Sequence, residues 1–131
     1  MQKRNLLYAA LILAMVVGLS SCFHRHHDVH VRINDDEDVY RLRASFDKDL
    51  TRDVQRVIND HLRKHQAHAF VTVYTDKQIT LDDGTSFYIK SGPGRLRIKV
   101  DRTGNPEEGN EAVIEMCDEI KEVLAGRDDN E

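Results

Sequence analysis

The chain has 131 residues, with 19 Lys and Arg against 23 Asp and Glu, a formal net charge of −4 at pH 7 with histidine neutral, and two cysteines. That length holds one domain with one modest core. A net acidic chain is a poor general binder of nucleic acid and does not adhere to anionic lipid by net charge alone, and two cysteines without a CxxC pattern exclude a redox or zinc-finger motif.

Lys3 and Arg4 precede an uncharged run of 17 residues from Asn5 to Ser21, at the lower edge of the roughly 17 to 25 that span a bilayer. A short basic start, an apolar stretch and small residues at its end form the pattern of an export signal. Leu19, Ser20, Ser21 and Cys22 resemble the lipobox of bacterial lipoproteins, a branched apolar residue, two small residues and a cysteine. The resemblance covers residues 1–22. It implies a diacylglyceryl group on the Cys22 thiol, cleavage after Ser21 and an acyl chain on the new amino terminus. Several acyl chains anchor durably where one holds only marginally. The expected partner of this end is membrane lipid, outside the cytoplasm. Phe23 is not the Asp that retains lipoproteins at the inner membrane of enteric bacteria, which favours the outer membrane, facing the periplasm, where that rule applies.

Loss of residues 1–21 removes Lys3 and Arg4 and leaves a chain more acidic still. With Cys22 consumed by lipid, Cys117 has no disulfide partner, and its place on an apolar helical stripe makes it a small core residue. Residues 22–27 read as the lipidated cysteine and its tether, 28–126 as a single α+β domain, and 127–131 as a disordered acidic tail.

Within the domain, Val29, Val31 and Ile33 alternate with polar residues, as do Tyr40, Leu42 and Ala44, so both segments read as half-buried strands. Pairing Ile33 with Tyr40 across the acidic "NDDED" loop places Arg32 opposite Arg41 and His30 opposite Arg43. From Asp47 the stripe Leu50, Val54, Val57, Ile58 and His61 predicts a helix over about 48–65. The segments "AFVTVYT", "ITL", "SFYIKS" and "RLRIKVD" predict strands at 69–75, 79–81, 86–91 and 95–101. The "DDGT" turn, with Gly84 left-handed, pairs Ile79 with Phe87, and "SGPG" is expected to pair Ile89 with Leu96. A second amphipathic helix over about 107–125 is expected to stop at Gly126. The order ββαββββα predicts an antiparallel sheet with two helices on one face, a two-layer sandwich.

Residues facing away from those helices would form an open face: His30, Arg32, Arg41, Arg43, Thr72, Tyr74, Tyr88, Lys90, Arg95, Arg97 and Lys99. Cations opposite one another are destabilising, and guanidinium forks with tyrosine rings suit phosphate, carboxylate or glycan groups. The same residues are equally ordinary on a solvated sheet. An anionic envelope polymer or an envelope protein is the expected partner of this face.

The competing reading is a periplasmic metal binder or sensor. His24, His26, His27 and His30 lie close together, and His61 and His65 are one helical turn apart, a spacing that holds zinc or copper. No glutamate stands where a zinc protease needs one, and His61 falls inside the apolar stripe, as a core-rim histidine with a backbone partner does. Apart from that reading no cofactor is expected. No nucleophile elbow or phosphate-cradling glycine loop is present, and the pairs Asp35/Asp36 and Asp82/Asp83 sit in solvated loops where acid catalysis has no support. The chain is therefore read as a non-enzymatic, membrane-anchored envelope lipoprotein.

Overall fold

The computed structural model describes residues 29–129. The expected signal, lipobox, Cys22 and the histidines His24, His26 and His27 lie outside the described residues. The strands are β1 (His30–Asp35), β2 (Val39–Ser45), β3 (Thr75–Thr80), β4 (Ser86–Gly92) and β5 (Arg95–Asp101). A 3-10 turn at Lys48–Leu50 leads into α1 (Thr51–Lys64), and α2 (Glu107–Asp129) closes the chain. All pairings are antiparallel, in the order β1-β2-β5-β4-β3. The fold is α+β, a two-layer sandwich with two helices against one sheet face.

Period-two alternation builds the sheet and decides what it buries. Tyr40, Leu42 and Ala44 of β2, Phe87 and Ile89 of β4, and Leu96, Ile98 and Val100 of β5 point inward. They meet Val54, Ile58 and Leu62 of α1 and Val113, Cys117, Ile120 and Leu124 of α2. Each fully buried large aliphatic side chain contributes about 1.5–3 kcal/mol of transfer free energy. Alternate residues of β2 and β5 are exposed, so the other face is open.

The turns set the registers, and two differ from expectation by two residues. Ile33 pairs with Leu42, not Tyr40, because the hairpin stays paired as far as Asp35 and Tyr40. The Asp36 carboxylate accepts from the N–H groups of Asp38 (3.0 Å) and Val39 (3.1 Å), drawing the loop tight. Ile89 pairs with Ile98, not Leu96. Here Pro93 and Gly94 are the two central residues. Proline holds a negative φ and Gly94 supplies φ +69, as a two-residue turn of this kind requires. A Cβ on Gly94 would also stand 2.5 Å from the Phe46 carbonyl oxygen. The "DDGT" turn is as expected, with Ile79 opposite Phe87 and Gly84 at φ +89.

One expected strand is absent. Residues 69–74 do not join the sheet, and a single strand, Thr75–Thr80, replaces the two expected at 69–75 and 79–81. Val71 is fully buried, but its backbone partners come from α1. Its N–H donates to Asn59 Oδ1 (2.7 Å), and its carbonyl accepts from Asn59 Nδ2 (3.0 Å) and Gln55 Nε2 (2.8 Å). A backbone satisfied by helix side chains needs no neighbouring strand. The chain turns toward this site because α1 ends in a Schellman motif, with Gln66 at φ 53 and the Ala67 N–H donating to the Leu62 carbonyl (2.9 Å).

The second helix also runs past its expected stop. Gly126 stays helical and α2 continues to Asp129, since glycine inside a helix costs only about 1 kcal/mol. Residues 127–129, expected in a disordered tail, are helical, and residues 130–131 lie outside the described residues. No helix among the described residues is long and apolar enough to cross a membrane.

Candidate anion-binding face

The open face is ordered by rows running across the strands. Arg32 pairs with Arg43, Arg43 with Arg97, Arg97 with Lys90, and Lys90 with Asp76. Adjacent strands lie roughly 4.7–4.9 Å apart, so four cations stand side by side across β1, β2, β5 and β4. The next row reads Asn34, Arg41, Lys99, Tyr88 and Gln78. On the other side of the cationic row lie His30, Ser45, Arg95 and Gly92. Arg32, Arg41, Arg43, Lys90, Arg95, Arg97 and Lys99 are all exposed, and Tyr88 is half-buried.

No ion pair among the described residues engages any of these seven cations. The acid that could neutralise the row is Asp76, opposite Lys90. Its carboxylate accepts from the Tyr88 hydroxyl at 2.5 Å and makes no ion pair with Lys90. That hydrogen bond, with some burial and the nearby charge, raises the Tyr88 phenol above its ordinary range and keeps it a donor. Each cation-beside-cation contact costs a few tenths of a kcal/mol, and an anion laid along the row removes the cost.

Over the row and its strand end is a concavity of about 1160 Å³ lined by the cations Arg32, Arg43, Lys48, Lys90, Arg95 and Arg97, by His30, Ser45, Tyr74, Ser91 and Gly92, and by the apolar Val29, Val31, Ala44, Pro93 and Leu96. Ser45 and Gly92, small residues on either side of Arg95, leave the space. Tyr74 belongs to the loop before β3 and is 78% exposed on the rim. Thr72, expected on the face, is held in that loop by hydrogen bonds with Thr75 and Tyr74. Asp76 and Gln78 take its place, and Lys48 joins from the turn after β2. The alternation in "TDKQIT" carried the signal for the first two; nothing local marked Lys48.

The expected opposition of cations holds with changed partners: Arg32 faces Arg43 instead of Arg41, and His30 faces Ser45 instead of Arg43. A slip of two residues leaves every side chain on its own face.

Among the described residues, His61 and His65 lie together and His30 lies apart from them. His61 is buried against α2, where its Nε2 pairs with the Glu119 carboxylate, in place of the backbone partner expected for it. His65 lies half-buried beside it, ring centroids 6.3 Å apart. His30 is exposed on β1, far along the sequence from both, and His26 lies outside the described residues. Among the described residues no group of three or more His, Cys, Asp or Glu side chains is placed to hold a metal ion.

Burial pushes the Cys117 thiol up to about 12, beyond useful nucleophilicity. Asp36 is held below the usual carboxylate range by the backbone N–H groups of Asp38 and Val39, and Asp35 pairs with Arg102. No family model, curated protein or solved structure matches the chain.

Proposed function

We propose that the chain is a lipid-anchored envelope lipoprotein that works by binding, with the open sheet face recognising an anionic envelope component or partner protein. The observation that carries this reading is the row Arg32, Arg43, Arg97 and Lys90, four adjacent cations with no ion pair among the described residues. Guanidinium groups in such a row offer paired donors to phosphate or carboxylate. The basic start, uncharged run and lipobox resemblance of residues 1–22 support an anchor of diacylglyceryl and acyl chains on Cys22. Phe23 supports the outer membrane, facing the periplasm, where the sorting rule applies. The closed thiol and loop-bound carboxylates favour recognition over catalysis.

The test is recovery of partners from solubilised membranes on the lipidated protein, beside a variant carrying Arg43→Glu and Arg97→Glu. The bound set should lose its anionic members in the variant. Equal recovery of every component by both proteins sinks the reading.

A further inference from the structure

The open face changes sign along its strands. Toward one end lie Arg95 and the four-cation row, with Asp76 beside Lys90 and with Asp47 and Asp49 in the turn after β2, while Arg41 and Lys99 occupy the row between the two ends. At the other, the β1–β2 loop presents Asp36, Glu37 and Asp38, the β3–β4 loop presents Asp82 and Asp83, and β5 finishes at Asp101. A net acidic molecule thus carries a strongly basic end. Along β5, Arg95 stands six residues and Arg97 four residues from Asp101, about 20 Å and about 13 Å, both beyond the roughly 8 Å screening length at physiological salt. A surface touching the basic end is therefore screened from the acidic loops, and net charge does not govern its attraction.

The basic end is also where the chain enters. β1 begins at His30, and seven residues separate His30 from Cys22. Fully extended, that connection reaches at most about 29 Å. A tether this short holds the concavity beside Arg95 within reach of the bilayer and gives it a high effective concentration of headgroups. Tyr74 on the rim is a ring with a polar tip, the kind of side chain that settles at headgroup level.

Resting on the lipoprotein reading above, we infer that this strand-end concavity binds the phosphate of an anionic phospholipid in the membrane that holds the Cys22 anchor. The domain then sits with its basic end on the bilayer and its acidic loops turned away. Arg43, Arg97 and Lys90 face the phosphate, and Ser45 and Gly92 leave room for the headgroup.

The test uses the lipidated protein purified from membranes and embedded in lipid discs of phosphatidylethanolamine and phosphatidylglycerol in equal parts, read by native mass spectrometry. Intact mass reports acylation of Cys22, and adducts report the headgroup retained. Wild type should retain phosphatidylglycerol selectively. So should a variant with Arg52→Gln and Arg56→Gln, which removes two exposed cations from α1. Arg43→Gln with Arg97→Gln should lower that selectivity about fivefold per cation lost. Thermal melting of both variants checks that the fold is kept. Equal retention by both variants on an acylated protein overturns the headgroup site and leaves the anchor standing. An unacylated Cys22 overturns the anchor and the headgroup site together. A copurified phosphorylated glycan, displaced in the sheet variant, gives the face to a different ligand and overturns the headgroup site.

Discussion

Gly109 in the first turn of α2 lies against Thr85 at the foot of β4, so closely that a Cβ at Gly109 would stand 1.6 Å from Thr85 Oγ1 and 2.6 Å from its Cβ. The helix can reach the β3–β4 loop only because position 109 has no side chain. Gly109→Ala should destabilise the fold by about 1–3 kcal/mol, the usual cost of overpacking. Gly126→Ala, in the same helix with nothing within 4 Å of the added atom, should stabilise it by up to about 1 kcal/mol. Urea unfolding of the two variants beside wild type checks both signs.

Asn59 holds the backbone of Val71 from both sides. Asn59→Ala leaves a buried N–H without a partner, and its carbonyl keeps only Gln55. The expected loss is about 1–3 kcal/mol. Hydrogen exchange should show faster opening at residues 67–74 than in the strands, and uniform acceleration across the domain would contradict this placement.

Asp36 sets the β1–β2 loop and is held below the ordinary 3.8 by the N–H groups of Asp38, then Val39. A carboxyl with a lower folded than unfolded pKa contributes stability above the unfolded value, and that contribution is lost as pH falls through the folded one. Asp101 behaves alike through the Thr103 hydroxyl, then the Thr103 N–H. Stability should therefore fall below about pH 4, and Asp36→Ala should flatten part of that fall. Parallel unfolding titrations between pH 6 and pH 2 measure it.

Arg43 stands between Arg32 and Arg97. If the row serves binding at the fold's expense, Arg43→Thr should raise the stability of the ligand-free protein by a few tenths of a kcal/mol. The gain should shrink as salt screens the exposed charges. Melting curves at low and high ionic strength read both effects.

The helices, the antiparallel sheet and the inward residues were legible in the chain because burial writes a period into the sequence. Two of the three hairpin registers, β1–β2 and β4–β5, were not, since a slip of two residues preserves that period. The final step depends on the Asp36 side chain and on which residues occupy the Pro93–Gly94 corner. Residues 69–75 alternate like a strand because Val71 is buried, but the groups that satisfy it, Gln55 and Asn59, sit on a helix that no local pattern connects to them. Cations on one face were visible from alternation. Their alignment into a row was not, because it depends on β2 lying next to β5.

β1 is an edge strand, paired on one side only, and apart from half-buried Ile33 its side chains are exposed. Any load reaching the domain through residues before His30 falls on the His30–Ser45 end of that single ladder. A pull away from the sheet opens it like a zip, one pair at a time, and the core of β2, β4, β5 and the helices stays shut. Six residues released in this way add about 20 Å of extended chain before the core is loaded, a reserve of slack built into the edge of the sheet.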